Sequence, residues 1–600
     1  MPSTTAEMLA QRFPDLEYHP VPSAETHPRF SYTGFHPTTQ ILQKGFVRSP
    51  GRRAFNIDVR FDRDVAVTMR DGIKIYMDIF RPLDSDVNRV PALIPWSPYG
   101  KTGTGPQQYE TMGPFNCGVP TARVSGFHKF EAPDPAEWCE RGYAIANVDA
   151  RGAGKSEGNI NYWGQQEAED IYDTIDWLSA QPWCSGSVCM AGNSWLAIAQ
   201  INFASRMKHP ALKALAPMEA LNDPYRDRIG RGGKPHLTTF MKMLLNGFAG
   251  PNGVEDLPAM LEKRPLYDEY WESKYIQTEN IDVPLYLTAS YSSALHTTGS
   301  FNTYRTAKTS QKWLRVHPYQ EWYDLYRPEV NDELQRFFDR YCKGIENGWE
   351  HETPPVRLSL LAFDGSAAQT IVERPELEYP LSRQKLQTYY LDASTRTLST
   401  QRPSTSATTS YESHSLDAKS DFVMKFEKYT EVAGYSKAHL WMSCAEKDDM
   451  DVGVLIRKVD STGKLLEHLN YPCPVPTEQV PNVNVAKTLG PQGFLRASHR
   501  VSRDDSRSRG GGQELFYSHD RREAIKPGTI VELEITLWPM GMVFAPGEGI
   551  MLSVSGHDMI YPEVDFLRLE QPDDENIGTH VIYTGDQYES RLILPIISQG

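Results

Sequence analysis

Between about residue 61 and residue 350 the chain alternates short apolar runs with amphipathic stretches. The runs VPALIPW (90–96), YAIANVD (143–149), SVCMAG (187–192), LKALAPM (212–218), VPLYLTAS (283–290) and KWLRVH (312–317) carry almost no polar alternation. That texture suits strands buried on both faces, as in a parallel sheet. Between them, residues 164–181 set Ala168, Ile171, Ile175 and Leu178 on one helical stripe, and 331–345 do the same with Leu334, Phe337, Phe338 and Tyr341. Strands alternating with helices predict an α/β fold with right-handed crossovers. Ahead of them, FDRDVAVTMRDGIKIYMDIFRP (61–82) reads as two strands joined at Asp71-Gly72, a dipeptide that accepts the positive φ of a tight turn.

Two segments break this rhythm. Residues 222–280 are mainly helical signals inserted between two strands, the position of a helical cap, and from 384 onward short β runs are separated by Pro-, Gly- and Ser-rich connections. The latter pattern predicts a β-sandwich or jelly roll. Residues 1–60 are rich in Pro, His and Thr without sustained periodicity and read as an extended arm on the folded body, or as partly disordered. The predicted division is therefore 1–60 arm, 61–221 with 281–383 α/β domain, 222–280 cap and 384–600 jelly roll.

Composition narrows the function. Forty per cent hydrophobic and 11% aromatic residues in 600 describe a globular chain. The formal charge, 62 − 77 = −15, with no Lys/Arg-dense stretch argues against a nucleic-acid or anionic-membrane partner. No apolar run approaches the roughly 18–20 residues that span a bilayer. The opening MPSTTAEMLAQRF lacks the basic and apolar regions of a secretory signal, and the seven scattered cysteines read as free thiols, so a cytoplasmic protein is expected. Cofactor and metal signals are weak. The histidines form no HExxH or HxH, and Gly154-Lys155-Ser156 lacks the glycine five residues earlier that a phosphate loop needs, Asp149 standing there. EKDDMDVG (446–453) reads as a solvated turn. No cofactor and no metal are expected; a small-molecule substrate is, and a homo-oligomer stays open.

AGNSWLA (191–197) is the most informative stretch. A buried strand ends at Gly192, Ser194 follows, and a helix-forming run begins at once. This is the strand–turn–helix of a nucleophile elbow, in which a small residue lets the backbone turn and lift the serine hydroxyl above the sheet. The helix N-terminus favours negative charge, and the Trp195 amide is placed to donate to an oxyanion. Leu196 stands where the five-residue pattern wants glycine, so a serine capping an ordinary helix is the competing reading.

With these residues in order, the chain resembles the CocE/NonD hydrolases, the group of cocaine esterase, X-Pro dipeptidyl-peptidases and α-amino acid ester hydrolases. The matching pieces are MRDGIKIYMDIFRP (69–82), PALIPWSPYGK (91–101), GYAIANVDARGAGKSEG (142–158), the helix at 164–181, AGNSWLA, LYDEYWESK (266–274) and GFLRASHR (493–500). The resemblance implies an α/β-hydrolase domain, a helical cap and a C-terminal jelly roll. It also implies that Tyr99 of SPYGK donates its phenol hydroxyl to the oxyanion, and that Asp149 and Arg151 form a structural ion pair.

The acid and base of the family's triad do not carry over. Ser292 stands where the aspartate is expected and Glu321 where the histidine is. Two substitutes lie in the same loops: His296 paired with Glu321, and His317 paired with Asp324 or another carboxylate. A triad is defined by geometry rather than chain order, so either would restore the logic. The leading expectation is a serine hydrolase of an ester or amide. The alternatives are a lyase, cyclase or isomerase that uses the oxyanion hole for an enolate on a specialised metabolite, and a pseudo-hydrolase without catalysis.

Overall fold

The computed structural model describes residues 4–598 apart from 102, 104, 236–240, 242–243, 561, 564–570 and 573–574. Every apolar run singled out between 90 and 317 forms a strand of one sheet. The spatial order is Ile371–Glu376, Val356–Leu360, Lys312–Val316, Leu285–Ala289, Leu212–Met218, Cys184–Asn193, Val90–Ile94, Ala144–Asp149, Lys74–Pro82, Val59–Thr68 and Thr38–Leu42. From Val356–Leu360 to Ala144–Asp149 neighbouring strands run parallel; beyond these the pairs are antiparallel. The parallel strands are buried on both faces, which is why they lack a polar period: all five residues of Val90–Ile94 and all six of Ala144–Asp149 are buried.

The chain passes from Val90–Ile94 to Ala144–Asp149 on one side and then crosses back to Cys184–Asn193 on the other. Such a reversal opens a crevice at the carboxyl ends of the strands, where α/β sheets bind ligands. The first helix, Gln165–Ser179, buries Ala168, Ile171, Ile175 and Leu178 as its stripe requires and packs against Trp195–Arg206. Pro328–Cys342 buries Leu334, Phe337 and Phe338, with Tyr341 partly covered. The Asp71-Gly72 turn joins Val59–Thr68 to Lys74–Pro82, with Gly72 at φ 88° and Met69 N–H bonded to Ile73 O at 2.8 Å.

The arm is more ordered than its composition suggests. It carries the capped helix Thr5–Arg12 and the strand Tyr18–Pro20, which pairs with Gly253–Glu255, while Thr38–Leu42 extends the main sheet. Segment 222–280 holds the short helices Leu257–Lys263 and Glu269–Lys274 and a single π-turn at Tyr225–Ile229, part of it lying outside the described residues. The C-terminal domain is mostly sheet, and its strands include the predicted runs as Gln384–Asp392, Ser420–Lys425, Lys437–Cys444, Asp451–Val459, Val531–Thr536, Gly549–Ser555 and Arg591–Ile597. It meets the α/β domain through Leu361, whose N–H donates to Gly541 O and whose C=O accepts from Val543 N–H.

Two local expectations are corrected. Asp149 and Arg151 do not pair: Arg151 clamps Asp170 (2.6 and 2.7 Å) and Asp71 (2.9 Å), whereas Asp149 faces Lys129 at 4.0 Å. Asp149 ends a strand and Arg151 begins a turn, so the two side chains leave the backbone in different directions. In EKDDMDVG, Asp451 is a strand residue rather than a solvated one, 1% exposed and bonded to Arg496 at 2.7 and 3.0 Å. Among the described residues no helix is long and apolar enough to cross a membrane.

Candidate active site

The strand Cys184–Asn193 delivers its last residues to the crevice, and Ser194 follows at φ 53°, ψ −119° before the helix Trp195–Arg206 starts. A non-glycine residue at positive φ costs of order 1–3 kcal/mol and persists only where its surroundings impose it. They do so here. Ser194 N–H bonds Met218 O at 3.2 Å, and Asn193 N–H bonds Glu131 O at 3.0 Å. A Cβ on Gly192 would lie 2.8 Å from that same Glu131 oxygen and 2.7 Å from Leu196 Cβ, so only glycine admits the corner. Leu196, where the pattern wanted glycine, is fully buried on the helix side. The serine side chain stays partly exposed while its neighbours Asn193 and Trp195 are buried. The Trp195 N–H is among the four amides a helix start leaves without an internal acceptor.

Tyr99 follows the strand pair Val90–Ile94 and Trp96–Ser97. Its phenol is buried, with the Ser194 side chain close enough to act on its titration. Burial, reinforced by the charge of Glu131, raises its pKa well above the ordinary tyrosine value, so the ring is a neutral O–H donor throughout the physiological range. Phe248 stacks on it at 6.1 Å, and Phe130 and Trp195 meet it edge-on at 5.7 and 6.2 Å. Tyr162 and Trp163 continue the aromatic wall against Trp195. Trp195 is itself fixed by its Nε1–H to Glu167 (2.9 Å).

His317 directly follows the strand Lys312–Val316, whereas His296 lies in the loop after Leu285–Ala289 and precedes the helix Thr297–Thr306, and the two settings differ. His296 is 2% exposed, with Nδ1 bonded to Ser293 Oγ at 2.9 Å and 3.2 Å from Glu321 Oε2, while Nε2 is buried and without a hydrogen bond. His317 Nε2 lies 3.6 Å from Glu219 and 3.7 Å from Asp324. Burial lowers its pKa to about 4 against the pull of Asp324. Asp324 is committed elsewhere, accepting two bonds from Arg315 at 2.6 and 2.8 Å and one from Arg327 at 3.1 Å. Of the pairings expected, His296–Glu321 has a carboxylate oxygen without another bond; His317 shares Asp324 with two arginines, and the other carboxylate beside it is Glu219. Ser292, at the family's aspartate position, hydrogen-bonds Ser290 at 2.7 Å.

Two carboxyl groups were not anticipated. Glu219 immediately follows Leu212–Met218, and Glu131 precedes the helix Pro135–Glu140; both are at positive φ (63° and 68°) and buried. Glu131 accepts from Trp322 Nε1 at 2.9 Å and leaves Oε2 without a bond, and neither oxygen of Glu219 has one. Burial, with Glu321 nearby, raises both pKa values well above the ordinary glutamate range. A carboxylate directly after a core strand is the one sequence signal that points to Glu219; nothing in the spacing marks Glu131.

Residues 71–250 match the family profile described as X-Pro dipeptidyl-peptidase (S15 family), and 347–593 that of the X-Pro dipeptidyl-peptidase C-terminal non-catalytic domain. A putative serine esterase of Mycobacterium bovis is 30% identical over 173 residues, 28% of this chain and 26% of that protein. Cocaine esterase of a Rhodococcus species is 33% identical over 163 residues, 27% of this chain and 24% of that one. The chain thus aligns with about a quarter of these curated relatives' length. A CocE/NonD family hydrolase from Staphylococcus aureus superposes with TM-score 0.83 at 29% identity, covering 95% of this chain and 99% of that one. The two profiles lie in order along the chain, an S15 match followed by the X-Pro dipeptidyl-peptidase type of C-terminal domain, and the chain is similar along nearly its whole length to a CocE/NonD family hydrolase.

Proposed function

We propose that the protein is a serine hydrolase that cleaves an ester or amide of a small molecule through an acyl-enzyme on Ser194. The observation that carries this reading is the strained Ser194 corner, with the buried Tyr99 phenol beside the serine side chain. In the reaction, His296 Nε2 takes the Ser194 proton as Oγ attacks the carbonyl carbon, while Nδ1–H is oriented by Glu321. The 3.2 Å contact to Glu321 is off the hydrogen-bond direction, as catalytic contacts often are before substrate binds. The Tyr99 hydroxyl and Trp195 amide stabilise the oxyanion; the imidazolium then protonates the leaving group, and water repeats the sequence to release the acid. The wall of Phe130, Tyr162, Trp163, Trp195 and Phe248 favours an apolar or aromatic acyl group.

We read residues 222–280 as a cap over this site and the C-terminal sheet as a jelly roll. The seven unpaired thiols favour a cytoplasmic setting. Turnover of a p-nitrophenyl ester tests the assignment. Ser194→Ala is expected to abolish it, and Tyr99→Phe to lower kcat by about 10²–10³ with little change in KM. Undiminished turnover in Ser194→Ala would overturn the reading.

A further inference from the structure

We infer that Glu219, His296 and Glu321 form a binding site for a divalent cation of the zinc class, and that filling it turns the hydrolase off. The second half rests on the role given above to His296; the first does not. The three residues follow three sheet strands that are neighbours in space, Leu212–Met218, Leu285–Ala289 and Lys312–Val316. One ligand atom from each lies within 4.8 Å of the other two. His296 Nδ1 and Glu321 Oε2 are 3.2 Å apart. That is close to the spacing of two ligands held at about 2.1 Å from one ion with a bond angle near 100°.

The surroundings point the same way. Glu219, His296 and Glu321 are 0, 2 and 6% exposed, both Glu219 oxygens and Glu321 Oε2 lack hydrogen bonds, and His296 Nδ1 meets only the neutral Ser293 hydroxyl, at 2.9 Å, besides Glu321. A buried carboxyl group is ionised only when it is paired or bound to metal, and is otherwise held protonated. Here, among the described residues, the ion-pair partners of Glu321 and Glu219 are imidazoles, His296 and His317, neither of which carries a fixed charge. One nitrogen and two carboxylate oxygens suit Zn²⁺ or Mn²⁺ better than the all-oxygen cations, and three protein ligands leave a position for water.

Occupation and base catalysis exclude one another through the imidazole tautomer. As a base, neutral His296 carries its proton on Nδ1 and offers the Nε2 lone pair to Ser194. A cation on Nδ1 needs the lone pair of that nitrogen, so the single proton of the neutral ring leaves Nδ1 and resides on Nε2. The ring then has nothing with which to accept the serine proton. No bond to substrate is made or broken by this step; a proton moves from one ring nitrogen to the other.

Equilibrium dialysis of the full-length protein against Zn²⁺ alone, followed by metal analysis, tests the site independently of activity. One Zn²⁺ per chain is expected, with affinity reduced about 10–100-fold or more in Glu219→Gln. Zn²⁺ should also raise the Tm of the wild type but not of Glu219→Gln, whose own cooperative transition verifies that it folds. If Glu219→Gln fails to fold, Glu321→Gln is read in the same dialysis. The brake predicts that ester turnover falls in step with occupancy, returns with a chelator, and loses its Zn²⁺ sensitivity in Glu219→Gln by the same factor as the affinity. Absence of stoichiometric binding, or binding indifferent to Glu219→Gln, overturns the site. Full turnover at full occupancy overturns the brake. A protein that binds Zn²⁺ but hydrolyses nothing with or without it refutes the hydrolase reading and leaves the site standing.

Discussion

Ser194 is held at positive φ by groups that are not part of its own helix: the Met218 carbonyl, the Asn193–Glu131 bond and the space above Gly192. The strain is therefore set by the sheet and its loops, which is the condition for a side chain to keep one orientation toward a crevice. At this scale the sequence was legible where a residue sits in a patterned stretch. Ser194 and Tyr99 are flanked by buried strands, and the His296–Glu321 pairing follows from two loops whose family residues are replaced together. Glu131 and Glu219 were not legible, because each is an isolated glutamate whose burial depends on other segments closing over it. The Asp149–Arg151 pairing failed for the same reason: proximity in sequence says nothing about which carboxylate a long guanidinium reaches, and here Asp170 comes from a helix 19 residues on. The choice between the two histidines is a residue-scale prediction. His296→Ala should lower kcat for a p-nitrophenyl ester by about 10²–10⁴, the worth of a positioned general base. His317→Ala should retain turnover within about tenfold, since its loss removes no proton acceptor from the reaction. Steady-state kinetics on both variants distinguishes them, and the reverse order would transfer the role to His317.

The elements that build the site are strand ends, and what fixes them is buried charge as much as apolar packing. Arg315 on Lys312–Val316 reaches forward to Asp324 in the short helix Glu321–Leu325, tying the strand to the turn that carries Glu321. Burial disfavours ionised Asp324, but Arg315, His317 and Arg327 outweigh it and hold its carboxyl below the usual range. A folded pKa below the unfolded value of about 3.9 gives stability that is present above that value and lost as pH falls through the folded one. Asp324→Asn should cost about 3–5 kcal/mol at pH 7, because it leaves Arg315 buried without its main partner. It should also flatten the loss of stability below about pH 4. Urea unfolding at several pH values measures both, and an unchanged acid slope would show that other carboxylates control it. The helices were read from their stripes with little error, since a 3.6-residue period survives whatever packs on it. The short turns of 222–280 were not, because their apolar residues serve several neighbours at once.

Across the whole molecule, the α/β domain, the 222–280 segment and the C-terminal sheet share their interfaces. Arg226 is the clearest joint. It pairs with Asp223 at 2.8 Å, donates to the carbonyls of Tyr517 and Ser518 at 2.8 and 2.7 Å, and lies 3.8 Å over Tyr267 and 4.5 Å over Phe516. Nearby, Gly232 approaches Phe494 so closely that a Cβ would sit 2.1 Å from its carbonyl oxygen. Arg226→Ala is expected to destabilise the chain by about 2–5 kcal/mol, the range for losing one member of a buried hydrogen-bonded charge pair. Denaturant unfolding followed by fluorescence checks it, and a change within about 0.5 kcal/mol would show the joint to be a surface contact. The β-rich texture beyond 384 was legible, and most of the described strands there form one large sheet. The strand within the arm was not, since Thr38–Leu42 becomes a strand only by pairing with Val59–Thr68. The central claim is that Ser194 is an activated nucleophile, and covalent labelling with a fluorophosphonate reads it directly. A single adduct is expected, mapped by mass spectrometry to the peptide containing Ser194 and absent from Ser194→Ala. No adduct on the folded protein, or one that persists in that variant, would contradict it.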